Sequence, residues 1–312
     1  MPSYQKRWMY GLALLLLLQS IAHSAEPKLT DSVLIQKAKK PLALPGTYQV
    51  DVESQAGHQY RMFVAEPPEN RQSQPSALLI VLDGNSCFAA VTQLYRLQAR
   101  GANLKPAVIV GIGYPIDQPI SFVDRTRDYT TPANPQLLPP LPRGRQWPAS
   151  GQAETFLKFI QQEIKPWIET EYSIDQNAEA IFGHSFGGYF VLHCLLNHPE
   201  SFDSYIASSP SVWWNDYAIE QQTSLFLKQQ LSRPKRLLMT LGEIELQGGE
   251  GPAGVLKPTA ASQQFGTTGD YASRLLKQQT ELFQIEFKLY PGQNHGSVIP
   301  HALNAGIRFA LE

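Results

Sequence analysis

A serine flanked by glycines is the residue in this sequence best suited to nucleophilic chemistry. Gly183–Gly187 (GHSFG) matches the pattern G-x-S-x-G, with Ser185 at its centre. An apolar run, Glu179–Phe182, leads into the motif and a helix-compatible run leads out of it. A sharp turn from strand to helix needs small residues beside the serine and leaves its hydroxyl exposed at the helix N-terminus. These neighbours favour a nucleophile over the alternative, a glycine-rich turn with a capping serine.

A general base for this serine is expected among the seven histidines. A serine hydroxyl becomes an effective nucleophile when an imidazole removes its proton. In hydrolases of this chain order the histidine lies in a loop after the last strand, which is the position of His295. We interpret His184, next to the serine, as packing or pocket wall. His58 and His301 are expected on the surface. His193 and His198 lie too far along the helix after the serine to turn back on it. His23 belongs to an N-terminal segment that is predicted to be cleaved, as described below.

The carboxylate that orients the base should follow the preceding strand, because the chain order is serine, acid, histidine. That strand is predicted at Arg236–Leu241 and is followed by the residues GEIE, 242–245. Glu245 is the favoured acid, since a turn after the glycine can direct its side chain toward His295. Glu243 is the alternative. Such a carboxylate would orient the imidazole and stabilise its protonated form.

Attack on a carbonyl also requires two backbone N–H groups to hold the oxyanion. One is expected from Phe186, the residue after the nucleophile. The other is expected from the loop after the predicted strand Ala77–Asp83, where Gly84 permits a tight turn and Asn85 presents its N–H. A plain turn in which Asp83 caps the next helix is compatible with that role.

The elements that must position these residues alternate between apolar strands and helical patterns. Ala77–Asp83 and Ala107–Tyr114 are almost continuously hydrophobic, as is typical of strands buried on both faces of a parallel sheet. The pattern predicts an α/β fold with a doubly wound, mostly parallel sheet and helices on both faces. A hairpin (Thr47–Val52, Tyr60–Ala65), two helices (Ala89–Arg100; Gly151–Tyr172, bent at Pro166) and four further strands (Glu179–Gly183, Ser204–Ser208, Arg236–Leu241, Ile285–Tyr290) are predicted.

Two long segments, Pro115–Ser150 and Gln247–Gly269, lack clear periodicity. Loops of this length in a compact domain are usually functional or disordered. The first segment carries four arginines against three aspartates, a net charge of +1, and any arginine paired with an aspartate would be structural. Its basic and aromatic residues include Arg125, Arg127, Tyr129, Arg143, Arg145 and Trp147.

Composition excludes several classes of protein. The 312 residues carry a formal net charge of -1, with 43% hydrophobic and 17% charged residues, which fits neither a disordered nor a fibrous chain. The sequence has no long basic run, so it lacks the positive charge pattern that is typical of nucleic-acid-binding proteins. Two cysteines exclude a disulfide-dense scaffold and a Cys-rich zinc module. The sequence leaves open whether Cys87 and Cys194 form a disulfide, and we favour two buried free thiols. No metal or cofactor is implied.

The N-terminus has the pattern of a secretory signal peptide. Lys6 and Arg7 precede a short apolar run, Trp8–Ile21, which is shorter than the roughly 20 residues of a membrane span. We predict a signal peptide at 1–24, with cleavage after Ala25 and an uncleaved anchor as alternatives. Residues 25–312 would then form a single exported, periplasmic domain without a membrane span. Its formal charge changes from -1 to -3 when the two basic residues are removed.

Several motifs together resemble the esterase D-like α/β-hydrolases. They are LDGN (82–85), RTRDYT (125–130), GHSFGG (183–188), ASSPS (207–211), LGEIE (241–245) and GQNHGS (292–297). Over about Gly46–Glu312, the chain is most similar to siderophore trilactone esterases that cleave enterobactin, salmochelin or bacillibactin. The resemblance implies an α/β-hydrolase fold and catalytic roles for Ser185 and His295. It also implies that an anionic ferric catecholate binds near the nucleophile, at Arg125, Arg127, Tyr129, Arg143 and Trp213.

The leading hypothesis is an exported serine carboxylic-ester hydrolase that cleaves the lactone esters of a ferric catecholate siderophore, such as enterobactin, through an acyl-enzyme and so releases iron. An alternative substrate is a carbohydrate-linked or small acyl ester. An alternative from a different class is a non-catalytic periplasmic binding protein, against which the Ser185/His295 pair argues. The sequence leaves the oligomeric state open.

Overall fold

The computed structural model describes residues 43–68, 74–100, 103–247 and 259–312. Leu44–Glu312 form one compact unit. The predicted signal peptide, 1–24, lies outside the described residues, so it stays a prediction. Within the described ranges, no helix is both long enough and apolar enough to cross a bilayer.

An eight-stranded sheet forms the centre of the unit. Its strands are β1 Thr47–Glu53, β2 Gln59–Ala65, β3 Ser76–Leu82, β4 Ala107–Gly113, β5 Ile174–His184, β6 Ser204–Ser208, β7 Lys235–Gly242 and β8 Phe283–Tyr290. They lie side by side in the order β1-β2-β4-β3-β5-β6-β7-β8. The first two strands form the predicted hairpin, and β2 pairs antiparallel with β4. All other pairings are parallel. The mostly parallel sheet predicted from the sequence is therefore confirmed.

Helices cover both faces of this sheet. They are α1 Gly84–Gln98, α2 Phe122–Tyr129, α3 Ala153–Phe159, α4 Lys165–Glu171, α5 Phe186–Asn197, α6 Trp214–Tyr217, α7 Ile219–Phe226, α8 Ala260–Phe265, α9 Thr268–Leu276 and α10 Ile299–Leu311. A π-helical turn, Ile160–Ile164, joins α3 to α4. Short 3₁₀ turns lie at Pro135–Leu137, Pro142–Gly144, Pro199–Ser201 and Glu243–Leu246.

The strand β3 shows why two layers of helices are needed. All of its residues are buried, and successive side chains point to opposite faces. Leu78, Ile80 and Leu82 belong to one hydrophobic core, which includes side chains of α3 and α5. Ala77, Leu79 and Val81 belong to a second core, which includes side chains of α1 and α10. The continuous apolar run in the sequence thus fills two cores at once.

Several elements differ from the sequence prediction. The helix after β3 begins at Gly84 rather than near Ala89, because Asp83 adopts a left-handed conformation (φ 53°) that turns the chain at once. Helices also form inside both segments expected to be irregular, α2 in the first and α8 in the second. The signal for α2 was available in the sequence: the Ser121 hydroxyl accepts a hydrogen bond from the N–H of Asp124, a typical N-cap. A π-helical turn, Ile160–Ile164, lies just before Pro166, where the bend was predicted.

Candidate active site

Ser185 lies in a strained turn between β5 and α5. Its backbone has φ 60° and ψ -116°, a conformation that residues other than glycine rarely adopt. The turn is tight because a Cβ on Gly183 would lie 2.2 Å from the carbonyl oxygen of Gly187. Gly187 itself has more room, since its Cβ would meet Leu82 at 3.5 Å. The steric demand predicted for both glycines therefore falls on Gly183.

The hydroxyl of Ser185 borders a cavity of about 610 Å³ at the carboxyl ends of the strands. Ser185, Phe186, Glu245 and His295, all predicted from the sequence, line this one cavity. The other lining residues are Asp83, Ser86, Cys87, Ile120, Phe122, Arg125, His184, Ser209, Pro210, Ser211, Trp213, Ile244, Thr268, Asn294, Gly296 and Ile299.

Glu245 and His295 are hydrogen bonded, with Oε2 of the carboxylate 2.6 Å from Nδ1 of the imidazole. The other oxygen, Oε1, accepts hydrogen bonds from the Ser209 hydroxyl at 2.8 Å and from the N–H of Gly242 at 2.9 Å. Burial alone would raise the pKa of Glu245, but the hydrogen bonds led by His295 outweigh it and hold that pKa below its ordinary value. The carboxylate is therefore ionised and fixed against the imidazole.

Glu243, the alternative acid, has a different position. Its Oε2 accepts a hydrogen bond from the N–H of Gly292 at 2.9 Å. Gly292 lies in the loop that carries His295, so Glu243 holds the main chain of that loop. The structure thus brings Glu245, rather than Glu243, to the imidazole.

A second imidazole lies beside the first. The rings of His184 and His295 are 4.5 Å apart between centroids. His184 is buried in the cavity wall, and its Nδ1 is 3.1 Å from the Ser208 hydroxyl. Burial, with the nearby His295 and Arg125, lowers the pKa of His184 well below its ordinary value. His184 is therefore a neutral wall residue, in agreement with its interpretation from the sequence.

Three serines at the end of β6 contact different parts of the site, a feature that sequence reasoning missed. The Ser208 carbonyl accepts the N–H of Ser185 at 2.9 Å, and the Ser209 hydroxyl contacts Glu245. The Ser211 hydroxyl lies 3.4 Å from that of Ser185. Their signal was the serine-rich run ASSPS directly after a predicted parallel strand, since the carboxyl ends of such strands meet at one edge of the sheet.

The predicted oxyanion donors lie at two helix N-termini, where the first N–H groups have no acceptor within the helix. Phe186 is the first residue of α5, and Asn85 is the second of α1. The Asn85 side chain is directed elsewhere, because it hydrogen bonds the main chain of Tyr114 and the carbonyl of Ile116 at 2.8 to 3.1 Å. Only the main-chain N–H of Asn85 is left for the oxyanion role, which stays a prediction.

Arg125 and Tyr129, both predicted to bind substrate, belong to a buried network. The Nε and Nη2 of Arg125 donate to the two carboxylate oxygens of Asp83 at 3.0 and 2.9 Å. Asp83 makes no side-chain cap to α1, contrary to the plain-turn interpretation. Tyr129 is fully buried, and its hydroxyl accepts the N–H of Asp83 at 3.1 Å. The prediction for Tyr129 was wrong: its ring lies in the core, outside the cavity, because it supports the turn after β3. Arg125 does line the cavity.

The other predicted substrate-binding residues also differ in position. Arg127 pairs with Asp124 at 3.0 Å and with the buried Asp128 at 2.6 Å, and it does not line the cavity. Its guanidinium is held by these carboxylates, and its predicted role in substrate binding stays a prediction. Arg143 is exposed on the turn Pro142–Gly144 and lies outside the cavity lining. Trp213 does line the cavity, and its ring packs 5.8 Å from that of Phe186.

Both cysteines are buried free thiols. Cys87 belongs to the core beneath α1, whereas Cys194 belongs to the core on the other face of the sheet. Burial raises the pKa of Cys87 to about 12 and that of Cys194 well above its ordinary value, so both thiols are poor nucleophiles. Among the described residues, no group of three or more His, Cys, Asp or Glu side chains is arranged to hold a metal ion.

Residues 54–298 match the protein family described as "Putative esterase". The chain belongs to this esterase family. It is a carboxylic-ester hydrolase. Its strand order and the turn at Ser185 indicate the α/β-hydrolase fold. The resemblance to esterase D-like siderophore esterases is confirmed.

Similar members of the family are named as siderophore esterases. The chain is 36% identical over 257 residues to "Ferri-bacillibactin esterase BesA" of Bacillus subtilis, covering 81% of this chain and 84% of that protein. It is 32% identical over 278 residues to "Siderophore enterobactin esterase" of Emericella nidulans, covering 85% and 89%. The crystal structure of the BES protein from Bacillus cereus matches with a TM-score of 0.75 and 29% identity, over 88% of this chain and 100% of that one.

Proposed function

We propose that this esterase is an exported serine hydrolase that cleaves the lactone esters of a ferric catecholate siderophore, such as enterobactin, and so releases the iron. The observation that carries the proposal is the 2.6 Å contact between His295 and Glu245 in the cavity that Ser185 also lines. The substrate class is supported by relatives named for ferri-bacillibactin and for enterobactin.

The first half of the reaction forms an acyl-enzyme. Ser185 Oγ attacks the ester carbonyl while His295 Nε2 takes its proton, and Glu245 holds Nδ1 and stabilises the imidazolium. The N–H groups of Phe186 and Asn85 hold the oxyanion of the tetrahedral intermediate. When the intermediate collapses, His295 returns the proton to the leaving alcohol oxygen, and the acyl group stays on Ser185.

The second half repeats these roles with water. His295 removes a proton from the water as it attacks the acyl carbon, and the same two N–H groups hold the oxyanion. The bond to Ser185 Oγ then breaks, the proton returns to that oxygen, and a carboxylic acid leaves. Ser185 Oγ lies 3.4 Å from the Ser211 hydroxyl, and the mechanism requires it to turn toward His295.

Recognition of an anionic substrate is assigned to exposed arginines of the segment Pro115–Ser150. Arg125 and Arg127 are held by Asp83, Asp124 and Asp128. Among the described residues, Arg143 and Arg145 make no ion pair and are exposed, so they are the arginines of this segment available to an anion. Trp213 lines the cavity, and its indole is suited to pack against an aryl group of the substrate.

The test is a substrate panel for purified residues 25–312. Ferric enterobactin, iron-free enterobactin, a short aryl ester and an acetylated or feruloylated sugar are compared by product analysis. We expect hydrolysis of the siderophores and the aryl ester, with Ser185→Ala reducing turnover by on the order of 10⁴-fold or more. The exposed serine of α7, in Ser224→Ala, is the matched control and should keep wild-type rates.

Three outcomes would contradict the proposal in different ways. Equal turnover by wild type and Ser185→Ala would overturn the serine mechanism. Faster turnover of the sugar ester would overturn the substrate class alone. Failure of a fluorophosphonate to label Ser185 in the wild type, together with no turnover of any ester, would indicate a binding protein that keeps the fold without the chemistry.

Export is tested separately with the full chain. Expression in a Gram-negative host, followed by fractionation and mass spectrometry of the intact protein, should find a periplasmic product that begins at Ala25. A product that retains Lys6 and Arg7 in the cytoplasm would overturn this part of the proposal.

A further inference from the structure

We infer that Ser209 is a positioning residue for the acid of the site, and that its hydroxyl makes Glu245 an effective third member beside Ser185 and His295. The inference rests on the proposed function, since it concerns how the proposed base is held. Nothing in the family resemblance distinguishes Ser209 from its neighbours in the motif ASSPS (207–211).

The two oxygens of the Glu245 carboxylate have separate partners. Oε2 lies 2.6 Å from His295 Nδ1, whereas Oε1 accepts the Ser209 hydroxyl at 2.8 Å and the N–H of Gly242 at 2.9 Å. With Oε1 held from two directions, the carboxylate plane is set and Oε2 is directed at the imidazole. The N–H of Gly242 belongs to the same turn as Glu245, so Ser209 is the partner that ties the acid to another strand.

Packing alone would hold this acid poorly. Glu245 lies in the short turn Glu243–Leu246, and the apolar side chains beside it, Ile244 and Leu246, are 46% and 41% exposed. A turn with exposed neighbours gains little from hydrophobic burial, so directed hydrogen bonds must fix its side chains. Ser209, which is 3% exposed, supplies one of them from the interior.

Ser209 is itself held in one orientation. Its backbone has φ 40°, in the left-handed region that favours glycine, and its N–H donates to the carbonyl of Thr240 at 2.8 Å. The next residue, Pro210, packs so closely on α5 that a Cβ on Gly188 would lie 3.0 Å from its Cα. A glycine would adopt this conformation without strain, but it would lack the hydroxyl. The strained backbone of Ser209 therefore occurs at a residue whose hydroxyl has a defined contact with Glu245.

The neighbouring serines do not duplicate this contact. The Ser208 hydroxyl lies 3.1 Å from His184 Nδ1, and the Ser211 hydroxyl lies 3.4 Å from that of Ser185. Each hydroxyl has its own partner, so loss of the Ser209 hydroxyl leaves a gap at Oε1 that the other two do not fill.

The experiment is a double-mutant cycle on the purified protein with a short aryl ester. Ser209→Ala removes the hydroxyl and keeps the strain, whereas Ser209→Gly removes both. We expect kcat to fall by on the order of tenfold in each variant with KM within about twofold. In the Glu245→Gln background, Ser209→Ala should change kcat by less than about twofold, because the residue acts through the carboxylate. Ser224→Ala is the control for an exposed serine.

Several results would overturn the inference. Wild-type kcat in Ser209→Gly would show that the hydroxyl is dispensable, and an equal fall in both backgrounds would show that it acts independently of Glu245. Where turnover of Glu245→Gln is too slow to measure, the rate of fluorophosphonate acylation gives the same comparison. Where Ser209→Ala does not fold, judged by its thermal melt, Ser209→Gly carries the cycle.

Failure of this inference is distinguishable from failure of the proposed function. If the wild type does not hydrolyse esters, or if Ser185→Ala matches it, the proposed function fails. If the wild type hydrolyses esters through Ser185 and both Ser209 variants match it, only the role of Ser209 fails.

Discussion

Arg125 donates two hydrogen bonds to the carboxylate of Asp83, at 3.0 and 2.9 Å, and a third to the carbonyl of His184 at 3.2 Å. Asp83 precedes the turn that carries the proposed oxyanion donor Asn85, and His184 precedes Ser185. One buried guanidinium therefore joins the two turns that border the cavity. The guanidinium also packs against two aromatic rings, since Arg125 Cζ lies 5.3 Å from the ring centroid of Phe186 and 5.5 Å from that of Tyr129.

Arg125→Ala should be strongly destabilising because it leaves Asp83 as an uncompensated buried charge. The two side chains are 8% and 7% exposed, so we expect the free energy of unfolding to fall by about 3–5 kcal/mol. Urea denaturation measures this change. Arg143→Ala, at an exposed arginine, should stay within about 0.5 kcal/mol of wild type. Similar losses in the two variants would contradict the structural role of Arg125.

Gly183→Ala should disrupt the turn at Ser185, because the added Cβ would lie 2.2 Å from the carbonyl oxygen of Gly187. The backbone must shift, and we expect a loss of more than about 3 kcal/mol in stability together with most of the esterase activity. Gly187→Ala is the matched control, since its Cβ would meet Leu82 at an ordinary 3.5 Å. Thermal melts and aryl-ester assays of the pair check this, and equal behaviour of the two variants would argue against it.

Trp213→Leu should weaken the binding of aromatic esters more than that of small aliphatic ones. The indole lines the cavity and packs against Phe186 and Trp147, with ring centroids 5.8 and 6.2 Å away. Loss of an aromatic contact of this kind corresponds to roughly a tenfold rise in KM for an aryl ester. Steady-state kinetics with both ester types provide the measurement. A uniform change in KM would instead indicate a general loss of cavity shape.

Glu154→Gln should lower stability in a way that depends on pH. Hydrogen bonds from His193 and His198, with the former contributing most, lower the pKa of Glu154 from 4.5 to about 2. Because the pKa of the folded state lies below that of the unfolded state, the stabilisation is full above about pH 4.5 and is lost as the pH falls toward about 2. Differences in urea midpoint between wild type and variant should therefore narrow over this interval. Glu171→Gln, at an exposed residue, should show a constant difference.

Much of the site was predictable because local patterns encode it. The G-x-S-x-G motif between an apolar strand and a helix located Ser185, since only small residues permit that turn. Chain order then located His295 and favoured Glu245, and the strand predictions agree with β3 to β8 to within a few residues at most ends. These inferences depend on backbone sterics, periodicity and connectivity, which neighbouring residues in the sequence determine.

The sequence by itself therefore determined the mostly parallel sheet and the chain order of the candidate residues Ser185, Glu245 and His295, with Ser185 as the proposed nucleophile. Only the tertiary structure decided that Arg125 pairs with Asp83, 42 residues away, and that Glu245 meets Ser209, 36 residues away. It likewise placed Tyr129 in the core rather than at a substrate. The physical reason is that parallel strands bring distant segments together at their carboxyl ends, and the choice of side-chain partners there depends on three-dimensional distance and burial, which the spacing of residues along the chain does not encode.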